Sequence, residues 1–525
     1  ATDFFIIPLS YCCHKYSLLY DEIFSISFWG DTKPMRINKT AKALALSSIL
    51  MLGNAVAHAE EQGLFEILLQ NGKITQSQYD VLTKQKKVEV SDTEDPELLG
   101  IMLQNGLIDQ AQYNQLLKQD VTETKVAEVK SETATKEVVM KSGDDVIVKL
   151  DSKGFRVETA DKAFKFKMGG RIQADVNFSA NGQDFHPEPI EGFELRRARL
   201  YAAGTLWTDY DFKAQFDFAG NKVSIKDLFV KYTGLDWVDI TVGNQKQTIS
   251  LELQESSNDI MFTERSLVYS LTAPLFDRAL GVRASSSGKN WSAQFGGYGS
   301  SINRASTGGW GITSRATIAP ILSKTHLLHL GGSVGYRNLN DGNVRFKYET
   351  TNQSSVYFTD TNAITNVDGA TLVDFDVAYM IGPFSVQGEY AHTWLSRDND
   401  LSGLDFNAYY VQAAWTLTGE SRSYNASQGK FKRLQPNNPF SWKKGTWGAW
   451  ELATRISGND LNSGDIVGGK ETALTIATNW YLNRNIRLMA DYRYAFDIQD
   501  SAVLRDGVNA ETGIHQFTLR TQLTF

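Results

Sequence analysis

The sequence predicts an all-β protein, a sixteen-stranded antiparallel transmembrane β-barrel with a small N-terminal α-helical extension on the periplasmic side. Three observations predict it. From Gly170 onward apolar and polar residues alternate with period two, the mark of a sheet whose two faces meet different surroundings. The alternating stretches fall into sixteen segments, each of about nine to eleven residues or close to it, the length a tilted strand needs to cross a bilayer. After residue 60 no apolar run reaches the roughly 18 residues of a membrane helix. The composition of 42 Gly, 28 Phe, 21 Tyr, 11 Trp and only 10 Pro suits strands and tight turns. Mean hydropathy of −0.30 does not oppose this, because alternating strands average to an unremarkable value. A formal charge of −7 argues against a general nucleic-acid partner.

The N-terminal elements come first. Residues 1–34 precede Met35 and are expected to be an upstream extension outside the fold. Residues 35–59 read as a secretory signal peptide: cationic Met35-Arg36-Ile37-Asn38-Lys39-Thr40-Ala41-Lys42, a mostly apolar run from Ala43 to Leu52, then Ala57-His58-Ala59 before the expected cut at Glu60. Cys12 and Cys13 lie upstream of Met35, so cleavage leaves a chain without thiols for an oxidising compartment. Residues 60–120 hold a repeat: Leu64-Phe65-Glu66-Ile67-Leu68-Leu69-Gln70-Asn71-Gly72 returns as Leu98-Leu99-Gly100-Ile101-Met102-Leu103-Gln104-Asn105-Gly106. Gly72 and Gly106 supply helix stops, and Thr75-x-x-Gln78 and Asp109-x-x-Gln112 supply capping boxes, so each copy reads as a helical hairpin. The pair would bind each other or a periplasmic or cell-wall partner, or serve as a spacer. Residues 121–145 mix Glu and Lys and read as a charged linker or short coiled coil.

The barrel occupies 146–525, with segments near 170–178, 194–206, 210–218, 225–233, 237–246, 278–285, 290–298, 310–319, 327–337, 370–380, 384–394, 405–417, 447–457, 472–482, 486–495 and 515–525. Their connections tend to alternate between long (179–193, 247–277, 338–369, 496–514) and short (207–209, 286–289, 381–383, 483–485), as in outer-membrane barrels. The long connector 418–446 breaks this rule, because parity makes it periplasmic. Apolar outer positions such as Phe212, Phe216, Tyr390, Trp450 and Trp480 would form an exposed band in water, and a soluble sandwich is disfavoured on that ground. Closure in outer-membrane lipid leaves no unpaired edge.

If the apolar face meets lipid, the lumen face carries Arg171, Arg197, Arg199, Lys213, Lys231, Arg283, Arg315, Arg337, Arg455, Arg487, Arg493 and Arg520. Against them stand Asp175, Asp217, Asp227, Asp239, Asp374, Asp376, Glu389, Glu451 and Asp491. Lys246 falls on the apolar parity at its strand's end, a rim position. A net basic lumen favours small anions, and the planar fork of arginine suits phosphate. The alternative is a lattice of Arg/acid pairs that stiffens the wall. Connector 247–277 is the candidate constriction loop, with Glu252, Glu255, Asp259 and Glu264 against Arg265, a charge set that counts against a simple anion filter.

Several fragments together resemble the phosphate-selective porin O and P family of Gram-negative outer membranes: Met168-Gly169-Gly170-Arg171-Ile172-Gln173, Leu195-Arg196-Arg197-Ala198-Arg199, Phe262-Thr263-Glu264-Arg265-Ser266-Leu267, Leu417-Thr418-Gly419-Glu420-Ser421-Arg422 and Gly448-Ala449-Trp450-Glu451-Leu452. The likeness spreads over roughly 145–525. It implies a homotrimeric barrel in which lumen arginines and a lysine cluster guide phosphate, with Arg171, Arg197 and Arg199 at matching positions. A general porin and a structural envelope-attachment protein are the competing readings. An enzyme is not expected. Gly331-Gly332-Ser333-Val334-Gly335 matches a nucleophile motif, but Ser333 falls mid-strand rather than at a strand-to-helix elbow. His326 and His329 are three apart, which puts them on opposite faces of a strand and unsuits them as a metal pair. No cofactor or metal is expected.

Overall fold

The structure is a computed structural model that describes residues 140–525 apart from 143–145, 152–153, 181–190, 304–308, 341, 350–355, 399 and 505–512. The expected leader, the helical repeat and most of the charged linker lie outside the described residues. Three short strands open the fold: β1 (Met140–Ser142), inside the segment expected as linker, β2 (Val146–Asp151) and β3 (Gly154–Thr159). The barrel begins with β4 (Lys165–Ala180), β5 (Gly192–Leu206), β6 (Tyr210–Asp217), β7 (Ser224–Tyr232), β8 (Asp239–Lys246), β9 (Arg278–Ser287), β10 (Trp291–Tyr298), β11 (Gly311–Leu322) and β12 (His326–Asn338). A small hairpin follows, β13 (Lys347–Glu349) with β14 (Tyr357–Asp360). The wall resumes with β15 (Val367–Ile381), β16 (Phe384–Arg397) and β17 (Leu404–Thr416), and a second small hairpin pairs β18 (Ser423–Asn425) with β19 (Lys430–Lys432). It ends with β20 (Ala449–Ser463), β21 (Ile466–Tyr481), β22 (Ile486–Gln499) and β23 (Ile514–Thr524).

Each of the sixteen expected segments falls on a wall strand, every pairing is antiparallel, and β23 pairs with β4 to close the barrel. Strands on the extracellular side run further than the alternation suggested. β20 and β21 extend through 458–471 and meet at Gly464, whose φ of 56° suits the tight turn. Outward positions bear the lipid face: Ile172, Leu200, Val230, Val282, Phe375 and Val411 are exposed, and Phe384 stacks on Trp415 and Trp450 on Trp480 near the periplasmic rim.

Three segments fold into the barrel interior, one of them the β13/β14 hairpin with its flanks, whose buried Phe346 joins the cluster around Ile249 and whose Tyr348 hydroxyl donates to the Arg265 carbonyl. Connector 247–277 carries α1 (Leu251–Gln254) and α2 (Tyr269–Phe276) and is almost wholly buried. Its Ile249, Val268, Leu271 and Phe276 pack against Leu372, Phe406 and Tyr410 of the wall. The β18/β19 hairpin enters from the opposite rim. Phe431, fully buried, packs with Leu327, Ala378 and Met380, a burial that contributes roughly 1.5–3 kcal/mol to seating the hairpin.

Two β-bulges break the alternation. Between Gln173↔Arg197 and Ala174↔Leu195 the chain has one extra residue, Arg196; between Gln215↔Asp227 and Phe216↔Ile225 the extra residue is Lys226. A bulge lets two consecutive side chains lean to one face. Arg196 and Arg197 accordingly both reach Glu264 inside the barrel.

Candidate pore-lining site

The inward arginines divide by partner. Arg199 donates to Asp217 at 2.7 Å, Arg315 to Asp376 at 2.6 and 3.0 Å, and Arg520 to Asp175 at 2.5 and 2.6 Å; Arg493 pairs with Glu471. Lys231 sits 3.1 Å from Asp211 and 3.4 Å from Asp239. These residues form the stiffening lattice. Arg171 instead donates to Ser257 at 2.5 Å, and among the described residues the Arg283 guanidinium has only a 3.5 Å contact with Thr241. Lys246 leaves strand parity at the end of β8 and turns inward, where its ammonium donates to the carbonyls of Leu253, Gln254 and Glu255 at the C-terminal end of α1.

The acids of the constriction loop are largely neutralised. Glu264 is held by Arg196 at 3.1 Å, Arg197 at 3.3 Å and Arg520 at 2.9 Å. Against the upward push of burial, these guanidiniums keep its carboxyl well below the usual range. Glu252 accepts the Ser266 N–H at 2.8 and 2.9 Å and the Ser266 hydroxyl at 2.7 Å, and lies 3.4 Å from Arg455. Arg265 donates to the carbonyls of Glu252 and Glu255 at 3.0 and 2.8 Å. Burial pushes the Glu255 carboxyl up to about 7, although Arg422 lies 3.6 Å away. The apparent conflict between an acidic loop and a basic wall is thereby resolved, because most of the loop's negative charge is spent on arginines.

Other cations escaped the alternation. The Lys226 ammonium makes no hydrogen bond or ion pair among the described residues, although its carbonyl accepts from the Asn244 amide at 2.7 Å, and it lies in the field of Arg199 and Arg278 with Asp217 and Asp277. Lys430, on the inserted hairpin, donates to the Gln254 carbonyl at 3.3 Å and faces Lys213, Arg283 and Asp259. Burial, with Lys213 and Arg283 adding to it, brings the Lys430 ammonium down to about 8. Lys213 pairs with Asp227 at 2.5 Å, and Arg278 meets the same carboxylate at 2.8 Å. Lys213, Arg283 and Lys430 thus lie near one another beside the inserted loop, while Arg171 and Lys226 share the field of Arg199 and Arg278. Consecutive polar pairs, Arg196-Arg197 and Lys226-Asp227, were the available sequence signal for the bulges.

On the extracellular side of the loop lies a cavity of about 650 Å³, bordered by Arg196, Arg197, Arg278, Arg337 and Lys347 with Glu264 and Asp277. Ser333 sits in β12, where its hydroxyl donates to Asp374 at 3.0 Å and accepts the Ser250 N–H at 3.1 Å. His326 meets Tyr379 while His329 bonds inward to Asp376, on opposite faces as the strand geometry requires.

A closed sixteen-stranded barrel with a lipid-facing apolar girdle and an inward loop is an outer-membrane porin of a Gram-negative bacterium. Residues 166–525 match the family described as Phosphate-selective porin O and P, and the chain belongs to that family. Its relatives include Porin O of Pseudomonas aeruginosa, 27% identical over 391 residues covering 67% of this chain and 88% of that protein. An uncharacterized protein of Caulobacter vibrioides is 30% identical over 374 residues, covering 66% and 71%. Among solved structures, the anion-selective porin from Comamonas acidovorans is similar with a TM-score of 0.46 at 13% identity, covering 69% of this chain and 100% of that one.

Proposed function

We propose that this porin is a passive diffusion channel for small anions, with phosphate as its main cargo, and that it works as a homotrimer. The observation that carries this reading is the unspent positive charge of the barrel interior. Lys226, Arg283 and Lys430 are cations there without a carboxylate within ion-pair distance among the described residues, while the inserted loop has most of its acids neutralised. In a narrow, low-dielectric passage such unspent charge concentrates counter-ions. The extracellular cavity, bordered by more cations than acids, would collect anions above it. The description of the family that residues 166–525 match and the fragment likeness at Arg171, Arg197 and Arg199 support phosphate as cargo. Small outward residues on the first strands, Ala174, Ala198, Ala202 and Ala214, suit close approach of neighbouring copies.

Purified protein in planar bilayers tests the reading. An anion-preferring reversal potential in a KCl gradient, with chloride current blocked by inorganic phosphate, is expected. Cation preference without phosphate block would overturn it. Cross-linking of the detergent-solubilised protein should stop at three copies. An attachment role for residues 60–120 concerns a segment outside the described residues, and nothing in the barrel supports it.

A further inference from the structure

Glu389 on β16 and Asp374 on β15 are both buried, and their carboxyl groups lie within hydrogen-bonding range of one another. Every other oxygen of the pair has a donor. Glu389 Oε2 accepts the Glu252 backbone N–H at 3.0 Å and the Tyr410 hydroxyl at 3.2 Å, and Asp374 Oδ1 accepts the Ser333 hydroxyl at 3.0 Å. Asp374 Oδ2 and Glu389 Oε1 have no N–H or O–H partner among the described residues. Two buried acceptors facing one another require a proton between them.

We propose that Asp374 and Glu389 share one proton, and that this proton positions the constriction loop and makes its seating dependent on pH. The loop is tied to the pair twice, through Glu252 N–H on Glu389 and through Ser250 N–H on Ser333, whose hydroxyl in turn holds Asp374. The surrounding charges leave the second negative charge uncompensated. Arg315 is engaged bidentately by Asp376, 3.7 Å being its nearest approach to Asp374. His329 is spent on Asp376 and on Tyr424 of the inserted hairpin. Glu252 adds negative charge that Arg455 meets at 3.4 Å. With the proton gone, two adjacent carboxylates repel, and the loop anchored on them loosens.

The seated loop therefore binds one proton more than the loosened loop, so rising pH favours the loosened state. One linked proton moves that equilibrium about tenfold per pH unit between the titration of the pair in the loosened state and its higher titration in the seated state, and no further above both. Single-channel recording between pH 6 and 10 in KCl reads it as the frequency of subconductance events. The wild type should show a rise of about tenfold per unit that levels off once the seated pair has titrated. Glu389→Gln keeps every hydrogen bond, its amide N–H₂ donating to Asp374 and its carbonyl accepting from Glu252 and Tyr410, but has no proton to lose; its event frequency should stay flat. Infrared spectra at pH 7 should show in the wild type a protonated-carboxyl band of the pair in addition to that of Glu255, and Glu389→Gln should lack the pair's component. Heat-modifiable migration on gels confirms that the variant is a folded barrel. If the variant fails to fold, absence of the pair's infrared component in the wild type still overturns the proposal. Parallel pH profiles of wild type and variant would overturn it as well. None of these readouts depends on anion preference or phosphate block.

Discussion

Replacing Lys430 by Gln removes one positive charge from the side of the constriction without adding bulk. The side chain is half-buried beside Lys213 and Arg283, so its charge is unshielded by any carboxylate in direct contact among the described residues. An ion passing roughly 5 Å from the ammonium through water-like surroundings feels about 0.8 kcal/mol, rising to about 3 kcal/mol where the wall lowers the effective dielectric constant to about 20. At the lower figure anion occupancy falls about fourfold and cation occupancy rises as much, so the anion-to-cation permeability ratio drops roughly fifteenfold. Salt near 0.1 M, with a screening length of about 10 Å, leaves most of an interaction at this range. Reversal potentials in a KCl gradient measure the ratio. A value within about twofold of wild type would refute the reasoning that this lysine sets selectivity. The same residue gives the pH signature. Because burial holds Lys430 near 8, raising the pH through 8 removes its charge and lowers anion preference in the wild type. Lys430→Gln should lack that step.

Three further outcomes follow from the same geometry. Burial raises Glu255 to about 7, so its negative charge appears as pH rises through 7 and lowers anion preference ahead of the Lys430 step; reversal potentials of Glu255→Gln should lose this earlier limb. Arg520→Met strands Asp175 without its bidentate partner and releases Glu264, and should cost about 3–5 kcal/mol, read from the urea midpoint of the heat-modifiable barrel band. Deleting Arg196, the extra residue of its bulge, should restore a regular ladder with every neighbouring side chain on its original face, whereas deleting Arg199 would turn part of β5 inside out; gel migration of the two refolded proteins separates these outcomes.

The wall was legible because each strand separates two solvents, and lipid on one side with the lumen on the other forces the alternation seen from Gly170 to Phe525. The alternation failed where the backbone departs from strict pairing. Arg196 and Lys226 were assigned no face because a bulge spends two residues against one, and Lys246 was placed on the apolar parity at the rim because nothing in the alternation reveals that the chain turns inward at the end of β8. Which arginines are structural could not be read from the sequence either. Arg520 and Asp175 lie 345 positions apart and meet only because the barrel closes between β23 and β4. The connector 418–446 was noticed as an exception to the long-and-short rule, but its short strands carry no pattern that reveals insertion; Phe431 reads as any apolar loop residue until the cluster around Leu327 and Met380 receives it.

The 247–277 loop and the β18/β19 hairpin come from opposite rims and touch. Lys430 donates to the Gln254 carbonyl, and Arg422 approaches Glu255, so the hairpin rests on the same turn of the loop that α1 forms. The hairpin's roots lie among periplasmic turns and the loop's among extracellular ones. The interior of the barrel is therefore spanned by one unbroken run of protein contacts, from the extracellular roots of the loop to the periplasmic roots of the hairpin, so a permeating ion travels beside both inserts in turn.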